Sequence, residues 1–271
     1  MRKWHKALGI TALAAVILFA YDNYKQNQTD NQGANIVQTS VKAANVKKVQ
    51  QKFMKPWSYT KERKFKMLPR DQYQRALGSH IQIKKSQLPT VKRDERIDAN
   101  PAGWHNYKFT TRRFDGRPYV TWIYNRGHLV GYQFCGINAD LHNLVTETSY
   151  LNQGSLTGMN DRNPKAMLFY ENRLRQWLNT HPQDKLDYAV IPLYRKNELV
   201  PRQVLLSFVG VKPSNKQVKI MMLGGLIKRK GKVGQVTLNN SSPQAKIDYQ
   251  TGRAQVTSYG KNKRPHRELF R

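Results

Sequence analysis

Acidic residues are scarce in this chain: 17 Asp and Glu stand against 47 Lys and Arg, a formal net charge of +30 over 271 residues. Cysteine is scarcer still. The single Cys135 excludes an internal disulfide and a His/Cys zinc finger, and a buried thiol behaving as a small apolar group is expected there. No Walker loop, HExxH or GxSxG sequence is present. The pair Gly224-Gly225 ahead of Lys228-Arg229-Lys230 lacks the strand-and-helix context of a phosphate-binding loop. No internal repeat is visible. What is abundant is positive charge, with 39 % hydrophobic residues, enough to bury a core and to argue against global disorder. Such a surface draws polyanions from a distance. Nucleic acid and an anionic envelope polymer or lipid both qualify; charge serving solubility alone is the plainer alternative.

Long apolar runs are limited to the N-terminus. Arg2, Lys3 and Lys6 precede fourteen residues, Ala7 to Ala20, in which only Thr11 is polar. A secretory leader has this form. As a helix the run spans about 21 Å, short of the roughly 30 Å hydrocarbon core unless Trp4 and Tyr21 extend it. Leu18 spoils the small-x-small pattern of a cleavage site, which favours an uncleaved anchor over a cleaved signal. Either places the remainder outside the cell, membrane-anchored or secreted, with the N-terminal segment meeting the membrane. The organisation expected is a leader or anchor at 1–21, a flexible polar and basic tether at 22–55, a catalytic domain at 56–260 and a basic tail at 261–271.

Within the domain, Tyr119–Tyr124 is aromatic and β-branched and reads as a strand after the Asp115-Gly116-Arg117-Pro118 turn. Asn163-Pro164 reads as a helix N-cap with Pro at the first helical position. Met167, Tyr170, Leu174, Trp177 and Leu178 then recur at helical spacing. Leu186–Tyr194 and Val204–Val211 read as strands, with Lys216–Leu223 a third. The pattern predicts an α+β fold around an antiparallel sheet.

Four side chains suit chemistry. His128 follows Asn125-Arg126-Gly127 just past the first strand, and a neutral imidazole can take a proton from water near neutral pH; a structural histidine bonded to backbone is the plain alternative. Arg126 offers a planar fork of donors to phosphate, or is a solvated charge. The Asn152 amide oxygen is a hard neutral ligand acceptable to Mg²⁺, or caps the turn before Gly154. Glu171 lies on or beside the apolar stripe of its helix, where a carboxylate needs a partner: either a metal-held water or Arg175 one turn on.

Together, Tyr124–Tyr132 (YNRGHLVGY), Asn143-Leu-Val-Thr-Glu-Thr148, Tyr150-Leu-Asn-Gln-Gly154 and Phe169-Tyr-Glu-Asn-Arg173 resemble the DNA/RNA non-specific endonuclease family, in particular its Gram-positive DNA-entry and surface-nuclease branch. That family belongs to the ββα-metal, or His-Me finger, superfamily. The likeness runs in matching order over residues 70 to 256, from Pro101-Ala-Gly-Trp104 to Ile247–Gly252. It implies a ββα-metal catalytic motif in the antiparallel α+β domain. It implies Mg²⁺-dependent hydrolysis of DNA, and of RNA, to 5′-phosphate products, with Mn²⁺ able to substitute. His128 is implied as general base, Asn152 as the direct metal ligand and Glu171 as a carboxylate holding metal-bound water. Asn143 matches a family Asn near the site. Arg126 is implied at the scissile phosphate, and Arg96 or Arg93 matches an upstream phosphate-binding Arg. The family's DRGH begins here with Asn125, as in related DNA-entry sequences, which leaves open what orients the loop. Ser155–Lys165 is longer than in some relatives. Two other readings use the same charge: a catalytically inactive DNA-binding or uptake protein on this fold, and an envelope-bound structural protein.

Overall fold

A computed structural model describes residues 43–257 apart from 95, 106 and 114. The expected leader at 1–21 and tail at 261–271 lie outside the described residues. In chain order the elements are α1 (Ala43–Phe53), β1 (Lys64–Met67), β2 (Ser79–Ile83), a 3-10 turn (Lys85–Gln87), β3 (Lys108–Arg112), β4 (Pro118–Trp122) and β5 (Tyr124–His128). They continue with α2 (Tyr132–Cys135), β6 (Leu144–Thr148), α3 (Ser149–Gln153), α4 (Met167–Thr180), β7 (Lys185–Leu193), β8 (Gln203–Val211) and β9 (Gln217–Val218). Three short strands and one longer one close the series: β10 (Lys228–Lys230), β11 (Val233–Asn239), β12 (Ala245–Ile247) and β13 (Ala254–Val256).

The main sheet is antiparallel, in the order β1-β2-β7-β8-β11-β10 with β9 added on β8. β7 and β8 are its centre because they are the two long β-branched and apolar runs, and almost every residue in them is buried. The two-residue period of a strand sorts their side chains. Ile81, Ile83, Leu186, Tyr188, Val190, Leu206 and Phe208 enter the main hydrophobic core. Helix α4 supplies the matching surface with Met167, Tyr170, Leu174, Trp177 and Leu178, all buried as their spacing predicts. Each such side chain contributes about 1.5–3 kcal/mol on burial.

The intervening residues of β2 and β7 form a buried polar set: His80 Nε2 meets Asp187 Oδ1 at 2.7 Å, and Gln82 Nε2 donates to Asp187 Oδ2 at 3.1 Å. Trp57 stacks on His80 at 3.6 Å, and His80 Nδ1 contacts the Phe53 carbonyl oxygen. Part of the expected tether is therefore folded structure. Residues 43–53 are helical, and the buried Gln50 donates from Nε2 to the carbonyls of Leu77 (2.9 Å) and Pro192 (3.3 Å).

Three further expectations are corrected. The single strand at Tyr119–Tyr124 is two, because the chain changes partner at the fully buried Ile123: β4 pairs with β3 and β5 with β6. Helix α4 begins at Met167 after Ala166, not at Pro164; the Asn163 amide instead donates to Gly154 O at 2.9 Å. Of Lys216–Leu223 only Gln217–Val218 is strand. The β5–β6 hairpin runs directly into α3, the strand-strand-helix order that carries the site. Among the described residues no helix is long and apolar enough to cross a membrane.

Candidate active site

Strand β5 ends on His128, and its period of two puts Arg126 and His128 on one side. His128 Nε2 lies 3.0 Å from the carbonyl oxygen of Asn138. A carbonyl only accepts, so Nε2 carries the proton and Nδ1 keeps its lone pair. Burial, and then the positive charge of Arg93, push the imidazole pKa down to about 4. The ring is thus neutral and able to accept a proton throughout the physiological range.

Asn138 ties two of these groups together, since its Oδ1 accepts from Arg93 Nε at 3.2 Å while its backbone carbonyl holds His128. Arg126 is fixed by Asn100 Oδ1, at 3.1 Å from Nε and 2.7 Å from Nη2, and its guanidinium lies 4.3 Å from the centre of the Trp104 ring. Asn125, the residue that replaces a carboxylate, works in both directions: Ser149 Oγ donates to its Oδ1 at 3.1 Å and its Nδ2 donates to Gln153 Oε1 at 3.3 Å. It thereby joins β5 to both ends of α3.

Helix α3 has only five residues, so its ends decide its placement. Thr148 caps it, with Oγ1 accepting from Leu151 N at 3.1 Å, and Gly154 closes it at φ +87°, a conformation that favours glycine. Asn240 Oδ1 accepts from Thr148 N at 2.8 Å and fixes the junction with β6. Asn152 on this helix is half-buried and faces the cavity, and its side chain has no hydrogen-bond partner among the described residues.

Glu171 comes from α4. Its Oε1 accepts from Gly131 N at 3.0 Å. Burial raises its pKa to about 7, with the Gly131 amide pulling the other way. The helical ion pair with Arg175 does not form; Arg175 Nη1 donates to the Gln133 carbonyl at 2.8 Å. A second carboxylate, Glu147 on β6, is fully buried, with neither oxygen hydrogen-bonded among the described residues. Burial, then the charge of Glu171, raises its pKa well above the usual carboxylate range. Nothing in its local sequence signalled this.

Arg93, Arg126, His128, Asn152 and Glu171 share the wall of one open cavity of about 600 Å³, together with Trp104, Trp122, Tyr124, Asn125 and Gln153. Two residues expected there are elsewhere. Asn143 is wholly buried behind the wall, where its Oδ1 accepts from Val130 N and its Nδ2 donates to Val130 O, both at 3.0 Å, so it shapes the chain two residues past His128. Arg96 is exposed and paired with Asp98 at 2.6 Å, outside the lining. Cys135 is buried and free, its thiol pushed up to about 11 by burial. Among the described residues no group of three His, Cys, Asp or Glu could hold a metal ion. Among the lining residues Glu171 supplies the one carboxylate, and Asn125, Gln133, Asn152 and Gln153 supply amide oxygens.

Residues 61–208 match the family model described as DNA/RNA non-specific endonuclease. Among solved structures, one named "extracellular nuclease" is 35 % identical with a TM-score of 0.61 over 75 % of this chain and 98 % of its own. A second, named "extracellular endonuclease", is 37 % identical with a TM-score of 0.60 over 74 % of this chain and 90 % of its own. NucA from Streptococcus agalactiae, solved with magnesium ion bound, shares the fold at 19 % identity and a TM-score of 0.51, over 73 % of this chain and 80 % of its own. No curated protein matches the chain.

Proposed function

Because the chain belongs to the DNA/RNA non-specific endonuclease family, we propose that this nuclease hydrolyses phosphodiester bonds of DNA, and also of RNA, with one divalent cation and His128 as general base. The observation that carries the reading is the meeting of Arg126 and His128 from β5, Asn152 from α3, Glu171 from α4 and Arg93 from the loop before β3 around one cavity.

The residues present fit a hard cation. The Asn152 amide has no competing partner among the described residues, and a carboxylate whose pKa stands at about 7 lacks a positive neighbour. An oxygen-only donor set suits Mg²⁺, and Mn²⁺ in its place. Asn152 would ligate the ion and Glu171 would accept hydrogen bonds from its water shell. The ion supplies positive charge against the negative charge that develops on phosphate and leaving oxygen.

The protein's own groups supply the rest. Arg126, fixed by Asn100 and Trp104, and Arg93 bind and orient the scissile phosphate. His128 Nδ1 removes a proton from the attacking water, while the Asn138 carbonyl keeps Nε2 protonated and the ring in register. Water adds to phosphorus, the bond to the 3′ oxygen breaks and that oxygen takes a proton from solvent, so the products carry a 5′-phosphate and a 3′-hydroxyl, and His128 returns its proton to solvent. Contacts directed at backbone phosphate give little sequence preference, and the net charge of +30 speeds capture of the polyanion. The basic N-terminus and its apolar run support action outside the cell, from an anchor or after secretion. The test is supercoiled plasmid incubated with the protein: nicking with Mg²⁺ that stops with EDTA is expected, and persistent absence of cleavage with Mg²⁺ or Mn²⁺ would favour an inactive DNA-binding protein on the same fold.

A further inference from the structure

Strands β3 and β4 pair only with each other and form a hairpin separate from the main sheet. Its side chains alternate. Lys108, Thr110 and Arg112 on β3 and Pro118, Val120 and Trp122 on β4 are exposed, whereas Phe109, Thr111, Tyr119 and Thr121 are wholly or partly buried. The register sets Lys108 opposite Trp122, Thr110 opposite Val120 and Arg112 opposite Pro118. These six therefore occupy one open face. Thr111 Oγ1 anchors the other face, donating to Gln244 Oε1 at 2.6 Å.

The open face is continuous with the cavity, because Trp122, 40 % exposed, is part of both. Lys108 Nζ lies 5.2 Å from the centre of the Trp122 ring. Arg113 and Arg117 add charge at the turn, where Asp115 is the one acidic residue. A large aromatic surface left open beside cations, on a strand that ends at the cavity, matches the chemistry of a nucleotide chain: a flat base and regularly spaced phosphates.

We propose that this face is a track for an unpaired nucleic-acid strand leading into the cavity, with Trp122 stacking on a base next to the scissile phosphate and Lys108 and Arg112 on the phosphates beyond. The track rests on the nuclease reading for what occupies the cavity. From Trp122 to Pro118 the strand runs about 14 Å, room for a short stretch of nucleotides. In a duplex each base face is covered by its neighbours, so the indole can stack only where bases are unpaired. Lys108 and Arg112 serve both forms through charge. The face accordingly confers a preference for single-stranded or locally opened substrate.

The test is the full-length protein in EDTA, titrated by fluorescence anisotropy against a short labelled oligothymidylate and against a blunt duplex of equal length. Trp122→Ala should raise the Kd for the single strand about tenfold and that for the duplex less than about twofold. Trp122→Phe, which keeps a ring and the strand, should retain most of the affinity. Lys108→Glu should weaken both. Equal effects of Trp122→Ala on both nucleic acids, no effect on either, or a Phe variant as poor as Ala would overturn the track. These titrations contain no metal and involve no cutting, so the two readings fail separately. A protein that shows the predicted pattern but never cuts defeats only the nuclease reading. One that cuts with unchanged Kd values in Trp122→Ala defeats only the track.

Discussion

The backbone amide of Gly131 donates to the Glu171 carboxylate at 3.0 Å, and a Cβ at residue 131 would lie 2.5 Å from Oε2. The bond from loop to helix exists because residue 131 has no side chain. Gly131→Ala must displace Glu171, and misplacement by about 1 Å at such a site costs on the order of 100-fold in rate. Plasmid nicking across a Mg²⁺ series should record that loss with a higher Mg²⁺ requirement; unchanged Mg²⁺ dependence would separate Glu171 from the ion.

The two titrating groups of the cavity predict an unusual pH profile. His128, at about 4, is already deprotonated between about pH 5 and 7, where Glu171, at about 7 without a cation, still holds its proton. The acid limb of kcat/KM should therefore follow Glu171. A cation favours the ionised carboxylate, so raising Mg²⁺ should move that limb to lower pH. Rate profiles at several Mg²⁺ concentrations test this, and a limb that stays fixed while Mg²⁺ varies refutes it.

Glu147 predicts a stability change. Its folded pKa lies well above the unfolded value near 4.5, so the folded state holds a proton that the unfolded state releases. The resulting stabilisation is complete below the unfolded pKa and is lost as pH rises toward the folded one. Glu147→Gln cannot ionise and should not suffer that loss. Its Tm should exceed wild type by a few degrees at pH 8 and converge with it near pH 4 to 5, as thermal melts across that span would record. A lower Tm for the variant at pH 8 would contradict the account.

Asn125 uses an acceptor toward Ser149 and a donor toward Gln153. Asn125→Asp restores the family's usual residue but turns the donor into a second acceptor facing Gln153 Oε1. A loss of a few-fold in cleavage is expected, about what one neutral hydrogen bond contributes. An increase would mean that the loop is oriented by something else.

Much of this was legible wherever one segment carries its own signal. The β-branched runs announced β7 and β8 to within a residue at each end, and the apolar spacing on α4 named five residues that are all buried. Motif order brought His128, Arg126, Asn152 and Glu171 to notice before any geometry. What stayed hidden depends on partners distant in sequence. Gln50 looks like tether because its two carbonyl partners, on Leu77 and Pro192, are 27 and 142 residues away. Asn163-Pro164 is a sound local start signal, overridden because the Asn is engaged by Gly154. Asn143 and an active-site asparagine have the same letter; only the backbone of Val130 tells them apart. The Arg93 and Arg96 side chains differ in their partners: the Arg93 guanidinium donates to Asn138 Oδ1 and the Arg96 guanidinium to Asp98.

The most direct measurement pairs cleavage with binding in His128→Ala. Removal of the base should cut the Mg²⁺-dependent nicking rate at least about 100-fold, with DNA affinity in EDTA within about twofold of wild type, because phosphate contacts dominate affinity. A purified, folded His128→Ala protein that nicks plasmid at the wild-type rate would contradict the mechanism at its centre.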